Sequence, residues 1–482
     1  MRSHIGLIGI GVMGENLALN MESHGFSVSV FDASVEKVNL FIARKGQGKN
    51  ISGFSSVGEF IDSLQHPRII MMMVPAGRPV DDVIALLTPL LGEGDILVDG
   101  GNSNFQDTTN RTRLLEEKHL HFIGTGVSGG EEGALRGPSL MPGGSKTGWA
   151  SVQPIFQAIA AKLDDGSSCC EWIGEEGSGH FVKMVHNGIE YGDMQLICEV
   201  YDIMRNVLKM TADEMSDVFS KWSQGSLNSY LIEITSDILS ARDEDGLPLI
   251  DKILDKAGQK GTGKWTIITA LDEAIPLTLI TESVFSRVLS SMKDERILAS
   301  RILTGPAADL TPERNSFIDE LEKALYAAKI ISYTQGYQLM RAVASSHHWN
   351  LNYGGIASIW RGGCIIRSAF LGKIKEAFDR DPDLQNLLLD PFFSKTISDS
   401  QQSLRNVLVQ AIKSGVPTPA LSSALAFYDG YRSGNLPANL LQAQRDFFGA
   451  HQYERVDRPR GEYFHTNWTG RGGETASTVY VA

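Results

Sequence analysis

Residues 179–191 read Gly-His-Phe-Val-Lys-Met-Val-His-Asn-Gly-Ile-Glu-Tyr. In a helix, Lys183, His186, Asn187, Glu190 and Tyr191 fall at i, i+3, i+4, i+7 and i+8, which is one face. An amine, an imidazole, an amide, a carboxylate and a phenol on one stripe form a set for general acid–base chemistry. The same stripe would also suit a helix face turned to water, and the spacing alone leaves both readings open. A Gly-rich lead-in, Gly177-Ser178-Gly179, and an interior glycine, Gly188, set this segment apart from an ordinary exposed helix.

The elements that must position the stripe read as two kinds. Up to residue 176, short apolar runs alternate with amphipathic stretches. Ile5–Ile10, Val28–Phe31, Arg68–Val74, Ile96–Val98 and His121–Gly124 read as strands. Glu15–Ser23, Ala33–Ala43, Arg78–Leu91 and Asp107–Lys118 read as the helices between them. This rhythm predicts a Rossmann-type, doubly wound parallel sheet over residues 1–176. Over residues 177–433 a 3.6-residue period takes over, as in Lys183–Lys209, Ala212–Trp222, Ser226–Leu239 and Pro312–Arg341, and predicts a large all-helical domain. Residues 434–482 are polar and Gly-rich, with Gly470-Arg471-Gly472-Gly473 and a Thr478-Val479-Tyr480 end. They read as an extended C-terminal arm that docks on a partner subunit.

Gly9-Ile10-Gly11-Val12-Met13-Gly14 fits G-x-G-x-x-G. Alone such a match is weak. Here it follows an apolar strand, opens a helix near Val12, and is followed by Asp32 at the end of the second strand, which is the full dinucleotide-binding context. Glycines let the backbone approach a pyrophosphate, and the helix N-terminus offers N–H donors and a positive dipole end. Three further strand ends carry small or polar residues: Val74-Pro75-Ala76, Gly100-Gly101-Asn102-Ser103 and Val127-Ser128-Gly129-Gly130. Ligands of open parallel sheets lie at the carboxyl ends of strands, so these turns outline one side of a cleft.

Composition narrows the partners. The net charge of −13 argues against nucleic acid or a membrane surface, both of which need a basic footprint. Four cysteines, Cys169, Cys170, Cys198 and Cys364, show no metal-ligand spacing and point to a reducing cytoplasm. No apolar run reaches the length of a membrane span. The opening Ile5–Met13 is broken by glycines and reads as strand and turn rather than a targeting segment.

Gly258-Gln259-Lys260-Gly261-Thr262-Gly263-Lys264-Trp265 nearly matches a P-loop, but Trp265 stands where a magnesium-binding Ser or Thr is required. The loop is therefore not a nucleoside triphosphate site. Its backbone N–H groups and two lysines still suit a phosphate, as do the guanidiniums of Arg287 and Arg445.

These segments together resemble the 6-phosphogluconate dehydrogenase family, from Gly9 to about His451. The resemblance rests on Gly9–Gly14, Val98-Asp99-Gly100-Gly101-Asn102, Gly126–Ala134, Lys183–Tyr191, Gly258–Trp265 and Gln444-Arg445-Asp446-Phe447-Phe448-Gly449-Ala450-His451. It implies oxidative decarboxylation of 6-phosphogluconate to ribulose 5-phosphate in the pentose phosphate pathway, without a metal. Lys183 would be the general base and Glu190 the general acid. Asn102, Ser128, Gly129, Gly130, His186, Asn187 and Tyr191 would line the substrate. Lys260, Arg287 and Arg445 would hold its phosphate, with Arg445 and His451 reaching in from the partner of a homodimer. Gly9–Gly14, Val74, Pro75, Ala76 and Asn102 would hold the nicotinamide cofactor.

One feature departs from the family pattern. Members commonly end the second strand in Asn-Arg-Thr, where the Arg holds the 2′-phosphate of NADP; this chain has Asp32-Ala33-Ser34. The resemblance implies NADP, whereas Asp32 suits the ribose 2′-OH of NAD. Two other readings compete: a non-decarboxylating β-hydroxyacid dehydrogenase, and a dinucleotide-binding protein without turnover. The long second domain and the Lys260 loop oppose the first; Lys183 and Glu190 together oppose the second.

Overall fold

Alternate residues of the N-terminal strands face opposite sides, and both sides are apolar, as a sheet covered on two faces requires. The computed structural model describes residues 2–306, 312–471, 476 and 477. Its strands are β1 (Ile5–Ile8), β2 (Val28–Phe31), β3 (Ile51–Phe54), β4 (Ile69–Met72), β5 (Ile96–Asp99), β6 (His121–Ser128) and β7 (Ser139–Gly144). They lie in the order β3-β2-β1-β4-β5-β6-β7. The first six pair in parallel and β7 runs antiparallel to β6. Leu7, Val28, Val30, Met71 and Val98 face one layer of helices, where Leu17, Met21 and Phe156 meet them. Ile8, Ile70, Met72, Leu97 and Phe122 face the other, against Phe60, Val80, Leu87 and Leu115.

The strand order reverses between β1 and β4. The chain therefore leaves these neighbours toward opposite faces, and a crevice opens beyond their carboxyl ends. Both strands stop short of their apolar runs, β1 at Ile8 and β4 at Met72. The residues left over form the crevice-side loops. The helices around the sheet are α1 (Val12–Ser23), α2 (Val35–Phe41), α3 (Val57–Asp62), α4 (Arg78–Leu87), α5 (Phe105–Glu116), α6 (Gly130–Arg136) and α7 (Lys146–Ile159).

Two strands escape the sequence pattern. β3, Ile-Ser-Gly-Phe, is an edge strand with an exposed centre and no apolar run. β7 contains Pro142-Gly143-Gly144, residues that normally argue against a strand. It is the opposite edge of the sheet, so the missing proline N–H breaks no second ladder.

The stripe of residues 183–191 lies in α8 (Ser178–Asn206), 29 residues long. Every residue from Ser178 to Ile189 is buried, so protein surrounds this part of the helix on all sides, and exposed positions begin only further on, at Met194 and Cys198. A helix surrounded by protein has no watery side, so the face-to-solvent reading of the stripe fails here. Gly188 explains itself through packing: a Cβ there would lie 2.8 Å from the Thr266 methyl. Its absence lets helix Thr262–Asp272 approach closely enough for Thr266 Oγ1 to donate to the Met184 carbonyl at 3.1 Å. The 33-residue helix Arg314–Ser346 packs along α8 and against helix Pro391–Ser414.

The chain divides into two compact units, Met1–Leu425 and Ala426–Ala482, with helix Pro419–Tyr431 running across the division. In the second unit the segment expected to be an extended arm carries helix Ala438–Gly449 and a short hairpin of β8 (Tyr453–Glu454) and β9 (Tyr463–Phe464). The fully buried Asp446 organises it, accepting from the backbone N–H groups of Gln452 and Thr466 and from Trp468 Nε1 at 2.9–3.0 Å. Gly472-Gly473 and Thr478-Val479-Tyr480 lie outside the described residues. Among the described residues no helix is long and apolar enough to cross a membrane.

Candidate active site

The crevice at the reversal of strand order is a cleft of about 850 Å³. Gly9, Gly11, Val12, Met13 and Gly14 form one wall and Met73, Val74, Pro75 and Ala76 another, with Asn102 and Val127 at the far end. The glycine turn cannot carry side chains at two of its positions. A Cβ at Gly14 would fall 2.0 Å from the Gly9 carbonyl oxygen, and Gly9 itself has φ +98°. Gly11 is different: space beside it is open, at the N-cap of α1 where free N–H groups face the cleft.

Asp32 closes the adjoining corner. One carboxylate oxygen accepts from Ile10 N at 2.8 Å and the other from Ser34 N at 2.9 Å. It thus ties the glycine turn to the start of α2 while still lining the cleft beside Ala33 and Lys37. Ile10 itself is buried behind the turn. Each carboxylate oxygen keeps a lone pair for a ligand hydroxyl. The residues present therefore fit a dinucleotide: a glycine cradle, a helix N-terminus and an acceptor at the end of β2.

Deeper in, α8 brings a polar cluster together. Lys183 Nζ donates to Asn187 Oδ1 at 2.8 Å and lies 3.3 Å from His186 Nδ1. His186 Nε2 lies 3.2 Å from Ser128 Oγ at the end of β6, and its ring meets the Trp360 ring edge-on. Glu190 Oε2 is 3.8 Å from His186 Nδ1. Burial pushes the Lys183 pKa below the ordinary lysine value, while the Glu190 carboxylate pulls it back. Burial pushes the Glu190 pKa up, against the attraction of Lys183 and Arg287. Burial and the Lys183 ammonium push His186 well below its ordinary value, so it is neutral. In the tautomer that lets Nδ1 accept, a neutral Lys183 spends both N–H groups on Asn187 and His186. Its lone pair is then free.

Arg287, from helix Thr278–Ser291, lies with its guanidinium 3.5 Å from the centroid of the Tyr191 ring and donates to the Gly258 carbonyl at 3.3 Å. It thereby ties the glycine-rich loop to α8. Lys260 and Trp265, from that loop and the helix it opens, line the dinucleotide cleft. Gly129, at φ +120°, is the turn between Ser128 and α6, and Gly130, at φ +65°, opens that helix. Arg445 and His451 belong to the second unit, where Arg445 Nη1 donates to Gln442 Oε1 at 3.1 Å. Among the described residues no group of three or more His, Cys, Asp or Glu side chains is placed to hold a metal ion.

Several participants carry little or no signal in the sequence pattern. Asp99, fully buried, shapes the turn bearing Asn102 by accepting from Gly101 N at 3.0 Å and Ser103 Oγ at 2.6 Å. Trp360 and Cys364 come from the far end of the helical region to the neighbourhood of His186 and Lys183. Nothing local in residues 360–364 announces this. Asp99 had a weak signal, a carboxylate at a strand end followed by two glycines.

Comparison with known proteins finds two family descriptions along the chain. Residues 4–174 match the NAD binding domain of 6-phosphogluconate dehydrogenase, and residues 179–468 match 6-phosphogluconate dehydrogenase, C-terminal domain. The chain is 58% identical over 479 residues to the decarboxylating 6-phosphogluconate dehydrogenase of Cunninghamella elegans, covering 99% of each. It is 56% identical over 482 residues to the human enzyme of the same description, covering 100% of each. Its fold matches the solved structure of Plasmodium falciparum 6-phosphogluconate dehydrogenase with a TM-score of 0.93 at 44% identity, covering 96% of this chain and 100% of that one. That protein is described in complex with its cofactor NADP⁺ and with its substrate 6-phosphogluconate.

Proposed function

The chain belongs to the 6-phosphogluconate dehydrogenase family, and from that premise we infer that it oxidatively decarboxylates 6-phospho-D-gluconate to D-ribulose 5-phosphate and carbon dioxide. The observation that carries the reading is the buried Lys183–His186–Asn187 cluster, with the partly exposed Glu190 at its edge, beside a cleft that fits a nicotinamide dinucleotide. The bound dinucleotide supplies the hydride acceptor. Lys183, neutral, takes the proton of the substrate C3 hydroxyl. Its ammonium then stands beside the new C3 carbonyl oxygen and stabilises the charge that grows there as the C1 carboxylate leaves. Glu190, whose pKa burial raises toward the protonated form, returns a proton to the substrate's C2, which has become C1 of the enediol. Asn187 and His186 orient the Lys183 amine, and Ser128 fixes the imidazole from its other side. Asn102, Gly129, Gly130 and Tyr191 line the substrate, with Lys260 and Arg287 toward its phosphate.

Purified protein with 6-phosphogluconate is expected to reduce a nicotinamide cofactor and release one carbon dioxide per cofactor reduced. Cofactor reduction without carbon dioxide would favour a β-hydroxyacid dehydrogenase, and no reduction with NAD or NADP would remove the reading altogether.

Three finer points belong to the same reading. The cofactor is NAD or NADP with a preference shifted toward NAD, because Ala33 offers no guanidinium and Asp32 repels a 2′-phosphate. The enzyme works as a cytoplasmic homodimer, with Arg445 and His451 completing the neighbour's site. Support for self-association comes from Phe285, Leu289, Leu298, Ile302 and Leu303, each more than half exposed on or just after neighbouring helices. Mixing inactive Lys183→Met with inactive Arg445→Ala is expected to restore activity through heterodimers, because one site per pair then has both groups. No recovery after subunit exchange, followed by a tag on one partner, would argue that each site is complete within one chain.

A further inference from the structure

One buried ion pair stands outside the chemistry above. Lys329 Nζ, from helix Arg314–Ser346, donates to Asp193 Oδ2 at 2.6 Å, and both side chains are 1% exposed. Tyr333, one turn further along the same helix, donates to the Ile366 carbonyl at 3.0 Å and reaches Asp193 Oδ2 at 3.5 Å. Asp193 Oδ1 is buried with no hydrogen-bond partner among the described residues. Such a pair is a poor source of stability. Desolvation of two ions offsets most of their attraction, and apolar replacements often do as well.

Its position gives it another use. Asp193 follows Glu190 by three residues on α8, so the two carboxyl groups share a face. The helices are in close contact at this level, since a Cβ on Gly192 would fall 2.4 Å from Ser332 Oγ. A shift of α8 along its neighbour would break the pair and carry Lys183 and Glu190 with it.

We propose that Asp193 and Lys329 are positioning residues for Glu190: they lock the register of α8, and the Asp193 carboxylate sets the electrostatic potential at the acid. The inference rests on Glu190 being the general acid. The groups facing Glu190 are Lys183, His186 and Asp193 from α8, Arg287 from helix Thr278–Ser291, and Cys364 from the segment after Trp360. Helix Thr262–Asp272 meets α8 through the uncharged Thr266, and helix Arg314–Ser346 adds Lys329 and Tyr333 through Asp193. Of these, Lys183 and Arg287 favour the Glu190 anion, and Asp193 opposes it. A like charge disfavours ionisation, so removing Asp193 makes Glu190 give up its proton at lower pH.

The test is the pH profile of kcat for the full-length enzyme with 6-phosphogluconate and its better cofactor. Activity falls at high pH as Glu190 loses its proton, and Glu190→Gln removes that limb. Asp193→Asn, which keeps an acceptor for Lys329, is expected to move the limb to lower pH by about one unit, the scale of a nearby like charge. The low-pH limb, set by Lys183, stays in place. The uncharged amide pair Asp193→Asn/Lys329→Gln is expected to give a smaller displacement in the same direction, because the Lys329 ammonium is removed with the carboxylate, and serves if the single variant does not fold. A high-pH limb that stays put in either folded variant overturns the proposal, even if kcat falls uniformly. If Glu190→Gln keeps the limb, the general-acid reading fails and this one with it. If Glu190→Gln loses the limb but the Asp193 variants leave it unmoved, only the positioning role fails.

Discussion

Lys183→Met is expected to lower kcat by about 10⁴-fold or more, with the protein still folded and still binding the dinucleotide. Two losses combine. General-base catalysis is worth about 10²–10⁴-fold, and a preorganised charge at a developing oxyanion about 10²–10³-fold. Methionine keeps most of the apolar stem that packs in the buried site and removes both contributions. Glu190→Ala is expected to cost less, because water can replace a final proton donor in part. The measurement is single-turnover cofactor reduction at saturating substrate, with cofactor affinity determined separately. Turnover within tenfold of wild type would show that Lys183 is not the base.

The pH dependence carries the same test with a defined sign. The base must be neutral, so activity is lost as pH falls through the Lys183 pKa. Burial lowers that pKa below the ordinary lysine value. The limb on the acid side should therefore lie below the pH at which an exposed lysine loses its proton. The high-pH limb belongs to Glu190, whose pKa burial raises above the ordinary carboxylate value. Burial thus pushes the two pKa values toward each other, so a neutral amine and a protonated carboxyl coexist in part of the population. A bell-shaped profile is the expected form.

How much of this is legible in the sequence depends on whether the deciding contact is local. The stripe in α8 is legible because helical spacing is a local property. Its burial is not, since five polar residues on one face suit water equally well until the surrounding helices are known. Gly188 shows the same limit. Its glycine is conspicuous at once, but the reason, Thr266 pressed against α8, comes from a helix some 80 residues away. The glycine turn at Gly9–Gly14 is legible in full, because strand, turn, helix and Asp32 occur in one continuous stretch. β7 is hidden because Pro142 and two glycines mask an edge strand that exists only through its pairing with β6. Trp360 and Cys364 are ordinary residues until the fold sets them beside His186 and Lys183. Asp32 is the instructive middle case. Its place at the end of β2 is local, yet its bonds to Ile10 and Ser34 make it part of the cradle as well as a ligand group.

That double duty shapes the cofactor prediction. Wild type is expected to use NAD at least as well as NADP in kcat/KM, because a 2′-phosphate beside Ala33 meets Asp32 and no guanidinium. Lys37 lines the same corner and compensates in part, so NADP is still used. Ala33→Arg is expected to raise the NADP-to-NAD ratio by about 10–100-fold, the worth of one charge-assisted hydrogen bond of about 1.5–3 kcal/mol. Adding Asp32→Asn should raise the ratio further by removing the repulsion. It should also lower kcat/KM for both cofactors. An amide has one acceptor oxygen where the carboxylate has two, so the backbone N–H of either Ile10 or Ser34 is left facing an NH₂ group. The fall common to both cofactors separates the cradle role of Asp32 from its ligand role. A wild type that strongly favours NADP, with a ratio unmoved by Ala33→Arg, would mean that this corner does not face the ribose 2′ position.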